Sequence, residues 1–261
     1  MHPMLNTAVR AARKAGDIIT RYMDRAPSLT VTAKAHNDFV TEVDRAAENT
    51  IIDILRLAYP DHAFLAEESG SRGSGEYQWI IDPLDGTTNF LHGFPQIGVS
   101  IALSHRGRLF QAVIYDPLKQ DLFTASRGAG AQLNGRRIRV ANRLVLDQAL
   151  IGTGFPVKHR EHLDRYCLQF RAVLERTAGL RRAGAASLDL AYVACGRLDG
   201  FWELGLSPWD IAAGALLIEE AGGTVSDLAG GPDFLDSGEV VAGNLKVHKA
   251  LLAALGVPAP A

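Results

Sequence analysis

Only two cysteines occur among the 261 residues, Cys167 and Cys195, and neither stands in a CxxC or other metal-ligand spacing. That excludes a zinc-ribbon scaffold and a disulfide framework, and it fits a reducing compartment. Cys195 sits in the apolar run 191–195 and is expected as a small core residue. Long hydrophobic runs are also missing. Stretches such as 211–218 fall far short of the ~20 apolar residues that cross a bilayer. Arg10, Arg13 and Lys14 interrupt the N-terminal apolar positions before a signal-peptide core can form. A cytoplasmic protein with no membrane contact is the expectation. Excess charge of one sign is absent too. With 27 Lys and Arg against 29 Asp and Glu, the net charge is −2, so autonomous nucleic-acid binding is not expected.

What remains is ordinary globular material: 47% hydrophobic and 21% charged residues, enough to build a core and too apolar for disorder. Leu5, Val9, Ala12, Gly16, Ile19 and Tyr22 recur at helical spacing over residues 4–24. Val43, Ala47, Ile51, Ile54 and Leu55 do the same over 41–58, and Pro60 ends that helix. Short strands are expected at 63–66 and 77–81 around a Gly- and Ser-rich loop, 69–75. From 97 to 140, apolar runs alternate with turns at Arg106-Gly107, Asp116-Pro117 and Asn134-Gly135, a meander. Beyond residue 140 strands (149–153, 200–203, 240–242) alternate with helices (162–178, 188–195, 210–221, 247–255). The pattern predicts an α/β protein in two halves. Residues 1–140 form an α+β half of two helices and an antiparallel sheet, and residues 141–261 form an α/β half. The halves pack as a layered sandwich.

The sharpest chemical signal is Asp82-Pro83-Leu84-Asp85-Gly86-Thr87-Thr88-Asn89. A buried strand is expected to end at Asp82, with Pro83 removing the next ladder donor. Asp82 and Asp85 then share one tight turn, Gly86 lets the backbone approach a ligand, and Thr87 and Thr88 open a helix whose free N–H groups suit a phosphate. Hard oxygen donors beside a phosphate cradle suit Mg²⁺. An Asp-Pro turn with an N-capping Thr is commonplace by itself. The longer pattern D-P-x-D-G-T-x-N arises by chance in a chain of this length on the order of a few times per million. Glu67-Glu68 follows the preceding strand and alone would read as a solvated loop. Asp210 opens an apolar helix and alone would read as an N-cap. His159 and His162 read as surface residues of a charged segment, His92 as structural or rim-lining, and Arg181-Arg182 as a solvated or interface pair rather than an anion site.

Spacing does not assemble these pieces; a resemblance does. Glu67-Glu68-Ser69, the 82–89 segment, Gly93-Phe94-Pro95, Gly184-Ala185-Ala186, Gly200-Phe201-Trp202-Glu203 and Trp209-Asp210-Ile211-Ala212-Ala213-Gly214 together resemble the inositol monophosphatase family, in particular its bacterial SuhB-type branch. Lys34 with Asp38-Phe39-Val40-Thr41 and Asp44 resembles that family's early motif, and the likeness runs over nearly the whole chain. It implies the αβαβα sandwich of the sugar phosphatases and hydrolysis of inositol monophosphates and similar small monoesters. Glu67, Asp82 and the Leu84 carbonyl would hold one Mg²⁺. Asp82, Asp85 and Asp210 would hold a second, so that the first half carries most ligands and the second half adds Asp210. Thr87, polarised by Asp44, would orient the attacking water, with Glu67 the third catalytic residue. Gly86 and Thr87 would bind the phosphate, while Gly184, Ala185, Ala186 and Glu203 would meet the alcohol, with Glu67 and Asp210 also bordering the substrate. Ala185 stands where relatives often carry a small polar residue, so only a backbone contact is expected from it. The resemblance further implies Li⁺ inhibition and a homodimer. It also implies a second role, in a different class: a protein-binding component of a Nus-factor and RNA polymerase complex in ribosomal RNA antitermination.

Overall fold

The structure, a computed structural model, describes residues 2–23, 31–35 and 38–256, with 31–35 and 38–41 described by their backbone. Asp24, to which the first expected helix extends, lies outside the described residues, as do the side chains of Lys34, Asp38, Phe39, Val40 and Thr41. In chain order the first half comprises α1 (Pro3–Met23), β1 (Val31–Ala35), β2 (Asp38–Thr41), α2 (Glu42–Ala58), β3 (Ala63–Ala66), β4 (Gly70–Arg72), β5 (Tyr77–Asp85), α3 (Thr87–Leu91), β6 (Gly98–His105), β7 (Arg108–Asp116), β8 (Asp121–Ser126), β9 (Gly130–Leu133) and β10 (Arg136–Arg137). The remainder comprises β11 (Leu150–Thr153), α4 (Leu163–Leu174), β12 (Gly179–Arg181), α5 (Ala186–Ala194), β13 (Gly200–Glu203), α6 (Pro208–Glu220), β14 (Thr224–Ser226), α7 (Phe234–Ser237), β15 (Val240–Gly243) and α8 (Leu245–Leu255).

Successive strand residues face opposite ways, and that alternation sorts the layers. Trp79 and Ile81 of β5, with Val99, Ile101 and Leu103 of β6, enter a core beneath α1 and α2. Ile80, Ala102, Ala112 and Ile114 face the other way, into a second core shared with α5 and α6. Phe201 and Ala242 close that second core from the far sheet, while their neighbours Trp202 and Val241 enter a third core with Tyr166 and Val173 of α4 and Val247 and Leu251 of α8. The stack is therefore helix, sheet, helix, sheet, helix. Both sheets are covered on both faces, which is why their central strands are nearly continuous in apolar residues.

α1 shows how closely these layers approach. Its buried stripe is Leu5, Ala8, Ala11, Ala12, Ala15, Gly16 and Ile19. Full burial of Leu5 or Ile19 contributes roughly 1.5–3 kcal/mol each. The small residues between them set the distance to the sheet: a Cβ on Gly16 would stand 2.7 Å from the Tyr115 ring.

The eight-stranded sheet runs in the order β10-β9-β8-β7-β6-β5-β3-β4 and the five-stranded one β12-β11-β13-β15-β14. Several details depart from expectation. Within the expected loop 69–75, β4 pairs antiparallel with β3. The β1–β2 hairpin and β12 were not anticipated; strands of three to five residues carry little periodic signal. Pro83 does not end β5. The strand continues to Asp85, which pairs with Gly98 beyond a bulge spanning Asp82 to Asp85. A bulge is where a sheet tolerates proline's missing donor. Cys195 is only partly buried, and Cys167 is exposed. No helix of the described residues is long and apolar enough to cross a membrane.

Candidate active site

The bulge in β5 aims two acids the same way. Asp82 accepts the Leu84 amide at Oδ1 (3.0 Å), tightening the turn. Gly86 follows with φ of 88°, a left-handed conformation that strains any side chain, and a Cβ there would lie 2.8 Å from the Gln96 carbonyl oxygen. From that position α3 begins at Thr87, so its first amides, which have no acceptor within the helix, open beside the two acids. Asn89 fixes the turn from behind: its Nδ2 donates toward the carbonyls of Gln96 (2.8 Å), Ala183 (3.0 Å) and Gly184 (3.2 Å).

β3 runs parallel to β5 and ends with Ala66 level with Ile81, and the Glu67 amide donates to the Ile81 carbonyl (3.1 Å). The Glu67-Glu68 pair divides at this point. The Glu68 amide is tied to Glu48 of α2 (2.8 Å), and Glu67 borders the cleft beside Asp82.

The other half supplies α5 and α6, which meet closely because Gly214 leaves the space occupied by Leu190. Ser187, in the first turn of α5, donates from its amide (2.8 Å) and hydroxyl (2.5 Å) to Asp85 Oδ2. Asp210 is not the N-cap of α6. Ser207 caps it, with Pro208 at the first helical position, and Asp210 one turn in accepts the Ser207 amide at Oδ2 (2.7 Å). The Ser100 hydroxyl of β6 holds the Trp209 carbonyl (3.1 Å), anchoring that turn to the first sheet. The outcome is that carboxylate oxygens of Asp82, Asp85 and Asp210 lie within 4.8 Å of one another.

Every residue to which the resemblance gave a metal, phosphate or substrate role, Asp44 excepted, lines one cleft of about 410 Å³. Asp44 is buried behind it, in reach of Thr87, whose Oγ1 is 3.1 Å from Asp44 Oδ1 and 3.2 Å from the Leu84 carbonyl. A hydroxyl has one proton, so one of these acceptors takes it and the oxygen lone pairs remain directed elsewhere.

Burial, then the charges of Glu67, Asp85 and Asp210, push Asp82 well above the usual carboxylate range. Burial, then Asp85, pushes Asp210 up to about 7. Burial raises Asp85 as well, against the two Ser187 hydrogen bonds that favour its ionised form. Glu203 is likewise held well above the usual range by burial, then by Asp189 and Asp210. Crowded hard oxygen donors that resist ionising together fit a divalent cation, which would offset their repulsion.

The cleft contains residues not anticipated as functional. Asp189 of α5 is buried, and burial followed by Asp85 keeps its carboxyl well above the usual range. Its signal was available: one acid in a short helix that is otherwise free of charge and almost wholly buried needs a reason. Arg182, expected in a solvated or interface pair, lines the cleft and lies over the Phe155 ring at 4.8 Å. Lys158 and His159 line it too, and the Lys158 charge favours the ionised forms of Asp85 and Asp210. No local pattern distinguished them from surface charge. His92 caps the end of α3 and is not among the cleft residues.

Two sheets layered between helices, with an acid cluster beside the opening of α3, match the layered fold of the sugar phosphatases. The chain belongs to the inositol monophosphatase family, whose model matches residues 1–258. It is 59% identical over 258 residues to the Nus factor SuhB of Pseudomonas aeruginosa, covering 97% of this chain and 95% of that protein. Among solved structures, the extragenic suppressor protein suhB of Bartonella henselae superposes with a TM-score of 0.95 at 45% identity, over 98% of this chain and 99% of the other. The inositol monophosphatase of Anabaena gives 0.88 at 41% identity, over 98% and 96%.

Proposed function

We propose that the protein is a Mg²⁺-dependent phosphatase that hydrolyses inositol monophosphates and related small phosphate monoesters to the alcohol and inorganic phosphate. The observation that carries this reading is the convergence of Asp82, Asp85 and Asp210 within 4.8 Å, from both halves of the chain, beside the Gly86–Thr87 turn. Glu67, Asp82 and the Leu84 carbonyl would hold one Mg²⁺, and Asp82, Asp85 and Asp210 a second. When bound, the metals supply charge to activate water and to stabilise both ends of an in-line displacement.

The chain's own groups do the rest. The Thr87 hydroxyl donates its hydrogen bond to Asp44, which leaves the Thr87 oxygen lone pairs free to accept a hydrogen bond from a water aligned for attack. The amides of Gly86 and Thr87 hold the phosphate oxygens against the opening of α3. Gly184, Ala185 and Ala186 bound the alcohol side through backbone, and Glu203 accepts hydrogen bonds from its hydroxyls. Two chain halves meeting near residue 140 would then form one catalytic unit, in a cytoplasmic homodimer.

A second role is favoured by the 59% identity, over nearly the whole chain, to a Nus factor: docking in an RNA polymerase and Nus-factor complex. The near-neutral charge suits docking on protein rather than autonomous RNA binding.

Phosphate release from a substrate panel, with and without Mg²⁺, tests the enzyme reading, using wild type and Asp85→Asn. Mg²⁺-dependent turnover lost in Asp85→Asn, and inhibition by millimolar Li⁺, are expected. Absence of turnover on every monoester with either protein would reject it. Nus-factor binding retained by Asp85→Asn would separate the two roles.

A further inference from the structure

β11 and β13 run parallel with Thr153 opposite Trp202, so the next step of the ladder sets Gly154 beside Glu203 at the wall of the cleft. Neighbouring strands lie about 4.8 Å apart, and residues level with each other point to the same face. The Glu203 side chain uses that geometry in an unusual way. Its carboxyl group folds across onto the neighbouring strand and occupies the place where a side chain on residue 154 would begin. A Cβ built on Gly154 would overlap Oε1, Cδ and Oε2 of Glu203, far inside the 3.0 Å that real Cβ contacts essentially never breach. Among the described glycines no other Cβ position is filled so closely.

The backbone does not require glycine here, because the φ of Gly154 lies outside the left-handed range. Nor can the strand end readily retreat. The Thr153 hydroxyl lies 3.3 Å from the Gly154 carbonyl, which it can reach as a donor, and 3.2 Å from the Tyr166 hydroxyl. The Tyr166 ring stacks on Trp202, the residue next to Glu203 (6.1 Å, 18°). Both strand ends are thus clamped to one aromatic pair, and the only slack left is the Glu203 side chain itself.

We propose that Gly154 is the positioning residue for Glu203: its missing side chain is the space that seats the carboxyl group at the wall of the cleft, and with it the enzyme's preference for alcohols bearing hydroxyls. This rests on the reading of Glu203 as the contact to the alcohol. A methyl group at 154 displaces the carboxyl group and leaves the acid cluster and the Gly86–Thr87 turn, which lie on other elements, in place. The consequence falls on substrates whose hydroxyls need an acceptor there, and not on the phosphate common to all of them.

The test compares KM and kcat for inositol 1-phosphate with those for p-nitrophenyl phosphate, which has no hydroxyl to offer. Gly154→Ala is expected to raise KM for inositol 1-phosphate about tenfold, as for loss of one hydrogen bond, with kcat and the p-nitrophenyl phosphate KM changing less than about twofold. Shortening the acid in the same protein, Gly154→Ala with Glu203→Asp, restores room and should recover part of the discrimination. Glu203→Ala alone should show the same selective rise. Discrimination unchanged in Gly154→Ala but lost in Glu203→Ala overturns the inference alone. Discrimination unchanged in Glu203→Ala overturns the reading beneath it. Thermal melting gives a second arm free of activity. Gly154→Ala should lower Tm in the wild type and have little effect in Glu203→Ala, where the space is empty; an equal loss in both backgrounds overturns the proposal.

Discussion

Ser187 donates two hydrogen bonds to one oxygen of Asp85, across 102 positions of chain, and so fastens the first turn of α5 to the bulge of β5. The contact joins the two halves at the acid cluster. It also opposes the effect of burial on Asp85, because both bonds favour the ionised carboxylate. Ser187→Ala removes the hydroxyl bond and keeps the amide. We expect a stability loss of about 1 kcal/mol and a several-fold weaker apparent Mg²⁺ affinity, read from turnover against Mg²⁺ concentration. Unchanged Mg²⁺ dependence would mean that the Ser187 hydroxyl does not tune Asp85 as a metal ligand.

The acid cluster makes stability depend on pH and on metal together. Asp210 has its pKa raised from 3.8 to about 7 in the folded protein, and Asp82 is raised well above 3.8. A raised folded pKa means that the native state binds more protons than the unfolded chain. Its contribution to stability is full below the unfolded value and is lost as pH rises through the folded one. In chelator, Tm should therefore fall between about pH 4 and pH 7 from this source. Saturating Mg²⁺ should raise Tm, most strongly at the upper end of that window. A Tm insensitive to Mg²⁺ at pH 7.5 would show that these acids do not bind it.

Gly86→Ala places a Cβ in a left-handed conformation and 2.8 Å from the Gln96 carbonyl oxygen. Backbone strain of about 1–3 kcal/mol is expected, together with a larger loss of kcat/KM than stability alone accounts for, because the phosphate-facing amides shift. Urea titration and steady-state kinetics on the same protein check both halves of this expectation.

Asn89→Ala strips the donors that tie α3 to the carbonyls of Gln96, Ala183 and Gly184. Stability should fall by about 1–3 kcal/mol. Faster amide hydrogen exchange confined to residues 86–96 and 183–187 would identify the released contact; global acceleration alone would assign Asn89 to general packing.

The boundaries of the layers were legible wherever an element was long enough to repeat its pattern. α1 and α2 declare a helical stripe, and β7 and β8 a run between turns. The triplets Gly70–Arg72 and Gly179–Arg181 are too short for a period, and only pairing with β3 and β11 makes them strands. Pro83 looked like a terminator because a proline cannot donate to a ladder; the bulge, invisible without its partner β6, lets β5 pass through it.

Local chemistry by itself determined the left-handed step at Gly86 and the opening of α3 at Thr87, since backbone preference acts between neighbours in the chain. Tertiary structure alone decided which distant groups join them. Asp210 had the look of a helix cap and Lys158 of surface charge, and Asp189 carried no reading at all, until the packing of the layers brought them to one cleft. The physical reason is range: dihedral preference is set by adjacent residues, whereas burial and electrostatic coupling depend on distances in space that only the folded layers define.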